Sequence, residues 1–317
     1  MSPERPNPTA SVVVPVFNSE RLLPQLVQRL APILERHCGA YELILVDDDS
    51  RTATWPVIQQ LSREHGWVRG IRLLRNYGQH NALLCGIREA RYELVLTLDD
   101  DLQHPPEEIP KLLEAIAAGA DVVYGTPAHE QHVFARDLAS RVTKLALRST
   151  MGAKTASQVS AFRAFRTRLR DAFENYRGPH VSIDVLLTWG TSRFSARVVQ
   201  HDPRSEGKSN YTVGRLLAHA LNMMTGFSTL PLQLASLLGF AFTLIGVATL
   251  LFVIGRYLLQ GSVVPGFAFL ASIIATFSGV QLFSLGILGE YLARIHFRSM
   301  DRPPYAVRED TAPRGVQ

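Results

Sequence analysis

Between Phe227 and Gly255, and again between Tyr257 and Gly289, the chain carries no Asp, Glu, Lys or Arg. Both stretches are rich in Leu, Phe, Val, Ile and Ala, and each exceeds the ~20 apolar residues needed to cross a bilayer. Two successive charge-free runs of this length are rare in soluble proteins, so a buried core hairpin is the weaker reading. The sequence therefore predicts transmembrane helices over 228–256 and 262–290, joined into a hairpin by the short connection from Arg256 to Ser262. Arg204, Lys208 and Arg215 precede the runs, and Arg294, Arg298 and Arg302 follow them. By the positive-inside rule both flanks are cytoplasmic, and Arg256 is the minor charge on the opposite side. Met1 to Ala10 hold no apolar segment of signal-peptide type. The expected location is thus the inner (plasma) membrane, multi-pass, with the preceding domain and both termini cytoplasmic. Cys38 and Cys85 then read as reduced structural residues.

Upstream of the apolar runs, helical and strand patterns alternate. Leu22 to Leu34, Trp55 to Glu64, His80 to Ala90 and Glu107 to Ala118 read as helices; Val68 to Leu74, Asp121 to Gly125 and Phe194 to Val199 read as strands. Such alternation implies an α/β domain with a mostly parallel sheet, expected over 11–211. An interfacial amphipathic helix over 212–227 would follow, laying Leu216, Leu217, Leu221 and Met224 on the bilayer. Residues 1–10 are expected to form a disordered tail. Residues 291–317 are expected to form a cytoplasmic one, disordered after Val307.

The chemistry concentrates where strands end. Leu94 to Leu98 is an apolar run leading directly into Asp99, Asp100 and Asp101, then into a Pro-led helix start with an acidic first turn. Ligands of open α/β sheets bind at the carboxyl ends of such strands. Carboxylates this close repel one another unless a cation joins them, and hard oxygen ligands suit Mg²⁺ or Mn²⁺ bridging a diphosphate. The spacing Asp99-x-Asp101 thus proposes a nucleotide-sugar site, against the bland alternative of a solvated acidic loop. Two further strands repeat the design: Ser11 to Val16 runs into Phe17-Asn18-Ser19-Glu20, and Glu42 to Val46 into Asp47-Asp48-Asp49-Ser50.

These three segments, with Arg75-Asn76-Tyr77-Gly78-Gln79-His80 between the last two, resemble the family 2 glycosyltransferases of GT-A fold, and within them the polyprenyl-phosphate branch. The resemblance runs from about Ser11 to about Tyr305. It implies that Pro15, Phe17, Glu20 and Asp48 hold the nucleobase and ribose. Asp99, Asp100 and Asp101 would face the diphosphate, with Asp101 and Asp99 as the ligands of Mg²⁺ or Mn²⁺. Asn76 and His80 join the nucleotide-sugar set, although a lone His opening a helix is more often structural. One departure is Asp49, where the family usually has Gly.

His201 to Tyr211 forms the second motif. Arg204 and Lys208 offer cations suited to phosphate, and Gly207 and Ser209 allow a mobile loop. Its likeness to the Arg-x-x-Gly-x-Ser-x-Tyr loop of the same branch implies acceptor-phosphate binding by Arg204, Lys208, Ser209 and Tyr211. Where relatives carry an acid before Phe-Arg, this chain has Ser157 to Arg163 without one. A phosphate acceptor is already largely ionised at neutral pH, with a second pKa near ~6, and can dispense with a base. Asp184 remains a candidate base or orienter, or simply the start of a helix.

The resemblance implies an inverting transferase that moves a sugar from a nucleotide diphosphate, a UDP-sugar being expected, to undecaprenyl or a related polyprenyl phosphate. Two alternatives stand beside it: a glycosyltransferase acting on a lipid or glycan hydroxyl, and an inactive membrane-anchored nucleotide-sugar binding protein. The formal net charge of +5 is modest, and no Lys/Arg run interleaved with aromatics speaks for nucleic acid. Membrane lipids are the expected surface partner. Ala271, Ala275 and Gly279 form a small-residue stripe suited to packing within the hairpin or between protomers, and a homo-oligomer such as a tetramer is expected.

Overall fold

The structure is a computed structural model in which residues 7–127, 158–178, 181–202, 230–260 and 266–312 are described. Eight strands form one sheet: β1 (Thr9–Val16), β2 (Ala40–Asp47), β3 (Val68–Leu73), β4 (Leu94–Thr97), β5 (Val122–Pro127), β6 (Arg163–Arg166), β7 (Phe194–Val199) and β8 (Val307–Asp310). Their order is β7-β5-β6-β4-β1-β2-β3-β8. Neighbours β4, β1, β2 and β3 are parallel, as are β5 and β7, whereas β6 and β8 run opposite to the rest. The expected α/β domain with a mostly parallel sheet is present.

Strand alternation sorts the core into two layers. Val12, Val14 and Val16 point to one face, where α1 (Leu23–His37), α2 (Thr54–Glu64) and α4 (Ile109–Ala117) cover them. Val13 points to the other, beneath α3 (Gln79–Glu89) and α5 (Ile183–Gly190). Gly86 allows α3 to lie this close: a Cβ there would stand 2.4 Å from Val13 Cγ1. Because β1 to β4 are parallel and buried on both faces, their carboxyl ends open together on one side of the sheet.

Two elements escaped the sequence reading. β6 is short and begins and ends in Arg, yet Arg163 is buried because its guanidinium pairs with Asp184. β8 overturns the expected disorder after Val307: it adds an antiparallel strand to the β3 edge, pairing Ile71 with Asp310 and Arg72 with Glu309. Its charges are balanced across the strands, with Arg69 Nη2 2.6 Å from Asp310 Oδ2. At the other end the expected tail of residues 1–10 is too long, since Thr9 and Ala10 already pair with Ala40 and Tyr41.

Between β7 and β8 in the chain come α6 (Leu230–Gln260) and α7 (Phe267–Ser299), packed against each other with Phe242 and Phe277 edge to face. Gly246 makes room for the Phe277 ring. A Cβ at Gly279 would meet nothing within 4 Å among the described residues of this chain, so of the two packing roles expected for the small-residue stripe Gly279 does not serve the one within the hairpin. Leu232–Arg256, 25 residues of mean hydropathy 2.6, is the one stretch among the described residues long and apolar enough to cross a membrane. One of the two predicted spans therefore meets that measure. Past its apolar part, α7 returns to the α/β domain: Arg298 lies over the Tyr176 ring and Arg177 pairs with Asp301 at 2.7 Å. The predicted interfacial helix over 212–227 lies outside the described residues.

Candidate active site

The open side of the sheet is a cleft lined by Pro15, Val16, Phe17, Asp48, Asn76, Gly78, Gln79, Asp99, Asp100 and Asp101. Seven of the residues singled out from the sequence, namely Pro15, Phe17, Asp48, Asn76, Asp99, Asp100 and Asp101, thus meet in one place. They come from the ends of β1, β2, β3 and β4, brought together by the parallel pairing alone.

Each acid has its own setting. Asp48 is buried, its Oδ1 accepting the Tyr77 N–H and its Oδ2 the Gly78 N–H, both at 2.7 Å. Burial pushes its carboxyl above the usual range, and those two N–H groups oppose the rise. Asp48 therefore fixes the loop after β3 against the end of β2. Gly78 takes φ 94°, a conformation that side chains rarely adopt, which lets two successive amides face one carboxylate. Asp100 plays a matching part on the other side. Its Oδ2 accepts from the Ser19 hydroxyl at 2.5 Å and the Phe17 N–H at 3.1 Å, tying the turn after β1 to the acid run. Burial raises its carboxyl too, against those bonds. Phe17 is left 43% exposed, so its ring is available to a flat ligand at the cleft edge.

Asp99 Oδ1 accepts from Gln79 Nε2 at 2.7 Å, and Asp101 Oδ1 accepts the Gln103 N–H at 3.1 Å. Leu102, the residue after Asp101 in the turn, holds φ 59° while its side chain is buried, a strained conformation costing ~1–3 kcal/mol that its packing sustains. Among the described residues no three His, Cys, Asp or Glu side chains form a ready-made metal cage. Two of the carboxylates lining the cleft, Asp99 and Asp101, nevertheless suit Mg²⁺ or Mn²⁺, which is commonly held by one or two carboxylates plus substrate phosphates and water.

Other candidates fall elsewhere. Glu20 accepts from Thr52 Oγ1 at 2.6 Å and Thr54 Oγ1 at 3.2 Å, bonds that hold its carboxyl below the usual range. It does not line the cleft but ties the turn after β1 to the start of α2. His80 Nδ1 accepts the Ile183 N–H at 3.5 Å, joining α3 to α5. Asp184 is buried, paired with Arg163 and accepting from the Tyr124 hydroxyl at 3.1 Å. That setting suits an orienting residue better than a base exposed to substrate. Arg204, Lys208, Ser209 and Tyr211 lie outside the described residues, but the start of their loop is placed. The Asp202 N–H bonds Gln103 O at 3.0 Å, and His201 meets His104 edge-on at 5.1 Å, so the loop begins against the acid turn.

The family described as Glycosyl transferase family 2 matches residues 11–177, which contain all of the cleft residues. The chain is a family 2 glycosyltransferase. It aligns over 94% of its length, at 37% identity, with 88% of an undecaprenyl-phosphate 4-deoxy-4-formamido-L-arabinose transferase from Pseudomonas aeruginosa. A transferase of the same name from Shewanella sediminis is 36% identical over 94% of this chain and 91% of its own. In architecture this glycosyltransferase is similar to glucosyl-3-phosphoglycerate synthase from Mycobacterium tuberculosis, solved with Mn²⁺, UDP-glucose and phosphoglyceric acid. The TM-score is 0.52 at 17% identity, over 69% of this chain and 78% of that one. At that identity the likeness speaks for the fold, which is the expected GT-A arrangement.

Sequence reasoning missed Ser19, Gln79, Leu102 and His104 in this glycosyltransferase. Gln79 and Ser19 sit inside the motifs named above, but their partners are far off in sequence, and His104 stacks on Phe162, the residue just before β6. Asp49, the departure from the usual Gly, takes φ 56°. Gly adopts that conformation without cost and Asp tolerates it, so the turn survives the substitution.

Proposed function

We propose that this glycosyltransferase moves one sugar from a nucleoside diphosphate donor, a UDP-sugar being the expected class, to polyprenyl phosphate, with inversion at the anomeric carbon. The observation that carries the reading is the acid-lined cleft at the ends of β1 to β4, in a chain that aligns almost end to end with transferases named for undecaprenyl phosphate. Phe17, Pro15, Asp48 and Asn76 form the nucleoside side of the cleft, and Asp99 to Asp101 the diphosphate side. Asp101 with Asp99 would hold Mg²⁺ or Mn²⁺, which supplies neutralisation of the charge developing on the departing diphosphate.

An ionised oxygen of the acceptor phosphate attacks the anomeric carbon as the bond from that carbon to the diphosphate oxygen breaks, releasing the nucleoside diphosphate. No base is needed, because the nucleophile has lost its proton before it binds. Arg204, Lys208, Ser209 and Tyr211 receive the acceptor phosphate, a role favoured by the anchoring of His201 and Asp202 at the acid turn. Asp184 acts by orienting Arg163 rather than by taking a proton. The hairpin of α6 and α7 spans the plasma membrane twice, with the catalytic domain cytoplasmic. The docking of Arg298 and Asp301 on the domain that also precedes α6 supports this topology.

The test is turnover by the purified full chain in detergent, scored by nucleoside diphosphate release, with polyprenyl phosphate and with the matching polyprenol. Transfer to the phosphate alone, in the presence of Mg²⁺ or Mn²⁺, is expected. Comparable transfer to the alcohol would overturn the acceptor and the base-free mechanism together.

A further inference from the structure

The donor cleft is joined by side chains to the segment that follows the membrane helices. Arg72, on β3, stands between three carboxylates: its Nε is 3.4 Å from Asp47 Oδ2, its Nη2 is 3.7 Å from Asp49 Oδ1, and its Nη1 is 3.6 Å from Glu309 Oε1. The Asp47 side chain is fully buried, and its Oδ2 has no hydrogen-bond donor among the described residues, so the Arg72 cation is the group that faces it. A buried carboxylate without a cation nearby is costly. From Asp47 the contacts continue into the cleft. Asp47 Oδ1 accepts the Ser50 N–H at 3.0 Å, and Ser50 Oγ accepts the Asn18 N–H at 2.9 Å. Asn18 Oδ1 in turn accepts the Arg51 N–H at 2.8 Å. Both turns that carry cleft residues, Phe17 to Ser19 and Asp48 to Ser50, are thus braced through Asp47.

Glu309 is held as well. Its Oε2 accepts the Trp55 indole N–H at 3.0 Å, its backbone pairs with Arg72 in the sheet, and Arg308 lies 4.0 Å from its Oε1. We propose that Arg72 is a positioning residue for the donor-binding turns, and that Glu309, supplied by the strand beyond the membrane helices, holds the Arg72 guanidinium in place. The C-terminal strand then belongs to the construction of the donor site, and the catalytic domain is complete only when the chain has returned from the membrane. The inference rests on reading the turns after β1 and β2 as the nucleoside side of the donor site.

Three full-length variants test it in detergent: Arg72→Met, Arg72→Lys and Glu309→Gln. The last keeps an oxygen for Trp55 while removing the charge. The donor KM should rise about fivefold to tenfold in Arg72→Met and about twofold in Glu309→Gln, with the acceptor KM unmoved, and Lys should recover most of the loss. Combining Arg72→Met with Glu309→Gln should add nothing to Arg72→Met alone, since both act through one contact. Affinity for UDP, GDP, CDP and dTDP, measured by titration calorimetry, should weaken in parallel for whichever the wild type binds. An unchanged donor KM and nucleotide affinity in folded Arg72→Met, or equal changes in both KM values, would overturn the inference. If Arg72→Met does not fold, unchanged nucleotide affinity in Glu309→Gln does the same. Failure of the wild type to turn over polyprenyl phosphate with any donor would strike the proposed function instead, and calorimetry would still read the positioning effect.

Discussion

Gln79 Nε2 donates to Asp99 Oδ1 at 2.7 Å, so the first residue of α3 orients the first acid of the run that follows β4. The same device recurs around the cleft. Asp48 is bonded by the amides after β3, and Asp100 by the turn after β1. Carboxylates from neighbouring strand ends are therefore steered by the loops of other strands. Asp48 and Asp100 serve as struts, while Asp99 and Asp101 are the pair suited to a metal-bound diphosphate.

Removing the Gln79 contact should loosen Asp99 without deleting a ligand. Gln79→Leu is expected to weaken the apparent affinity for Mn²⁺ by roughly tenfold, as is usual when an outer partner of a ligand is lost. Turnover measured against metal concentration reads this directly, and saturating Mn²⁺ should restore most of the rate. An unaltered titration curve would remove Gln79 from the site.

Asp101→Asn should lower turnover by roughly two orders of magnitude or more, because it removes a charge from the diphosphate side while keeping the side chain's shape. Membrane extraction behaviour and melting temperature should stay close to wild type. Wild-type activity that persists in excess chelator would exclude the metal-assisted reading.

His104 supplies a test by pH. It is buried, stacked on Phe162 and facing His201, and burial, followed by the His201 charge, lowers its pKa from 6.5 to about 4. The unfolded chain then binds a proton on this residue between those values while the folded chain does not. Stability from this residue is therefore present in full above pH 6.5 and is lost as pH falls toward about 4. His104→Phe, which keeps an aromatic ring beside Phe162, should melt with a shallower loss between pH 7 and pH 5 than the wild type. Parallel melting curves for the two proteins would show that His104 titrates normally.

Much of this was readable before any fold. The acids at the ends of β1, β2 and β4 follow apolar runs, and the helices α1 to α4 follow strong periodicity, so local pattern located both sheet and cleft. What stayed hidden depends on partners distant in sequence. β8 reads as Val-Arg-Glu-Asp, a charged tail, until Arg69 and Arg72 are seen across the sheet. β6 opens on Arg163, which only Asp184 makes tolerable in a core. Glu20 is assigned to the nucleotide through the family resemblance, and Asp184 stands as base, orienter or helix start; their partners Thr52 and Arg163, distant in sequence, could not be read from either motif.

The Arg163 and Asp184 pair carries the last prediction. Both side chains are nearly inaccessible, and Tyr124 donates to the same Asp184 oxygen at 3.1 Å. Breaking a buried pair by removing one partner strands the other charge, at a cost of ~3–5 kcal/mol, whereas replacing both by apolar groups is often close to neutral. Asp184→Asn and Arg163→Met should each lower the melting temperature substantially. The double variant Arg163→Met with Asp184→Leu should regain much of the loss. If Asp184 only orients, the folded fraction of the double variant should keep measurable transfer to polyprenyl phosphate, with the same dependence on acceptor ionisation near ~6. A base would behave otherwise: the double variant would fold yet lose transfer altogether, and Asp184→Asn would abolish the rate at temperatures well below its melting point. Melting curves and single-turnover rates on the same samples separate the two roles, because stability reports the ion pair and the residual rate reports the proton.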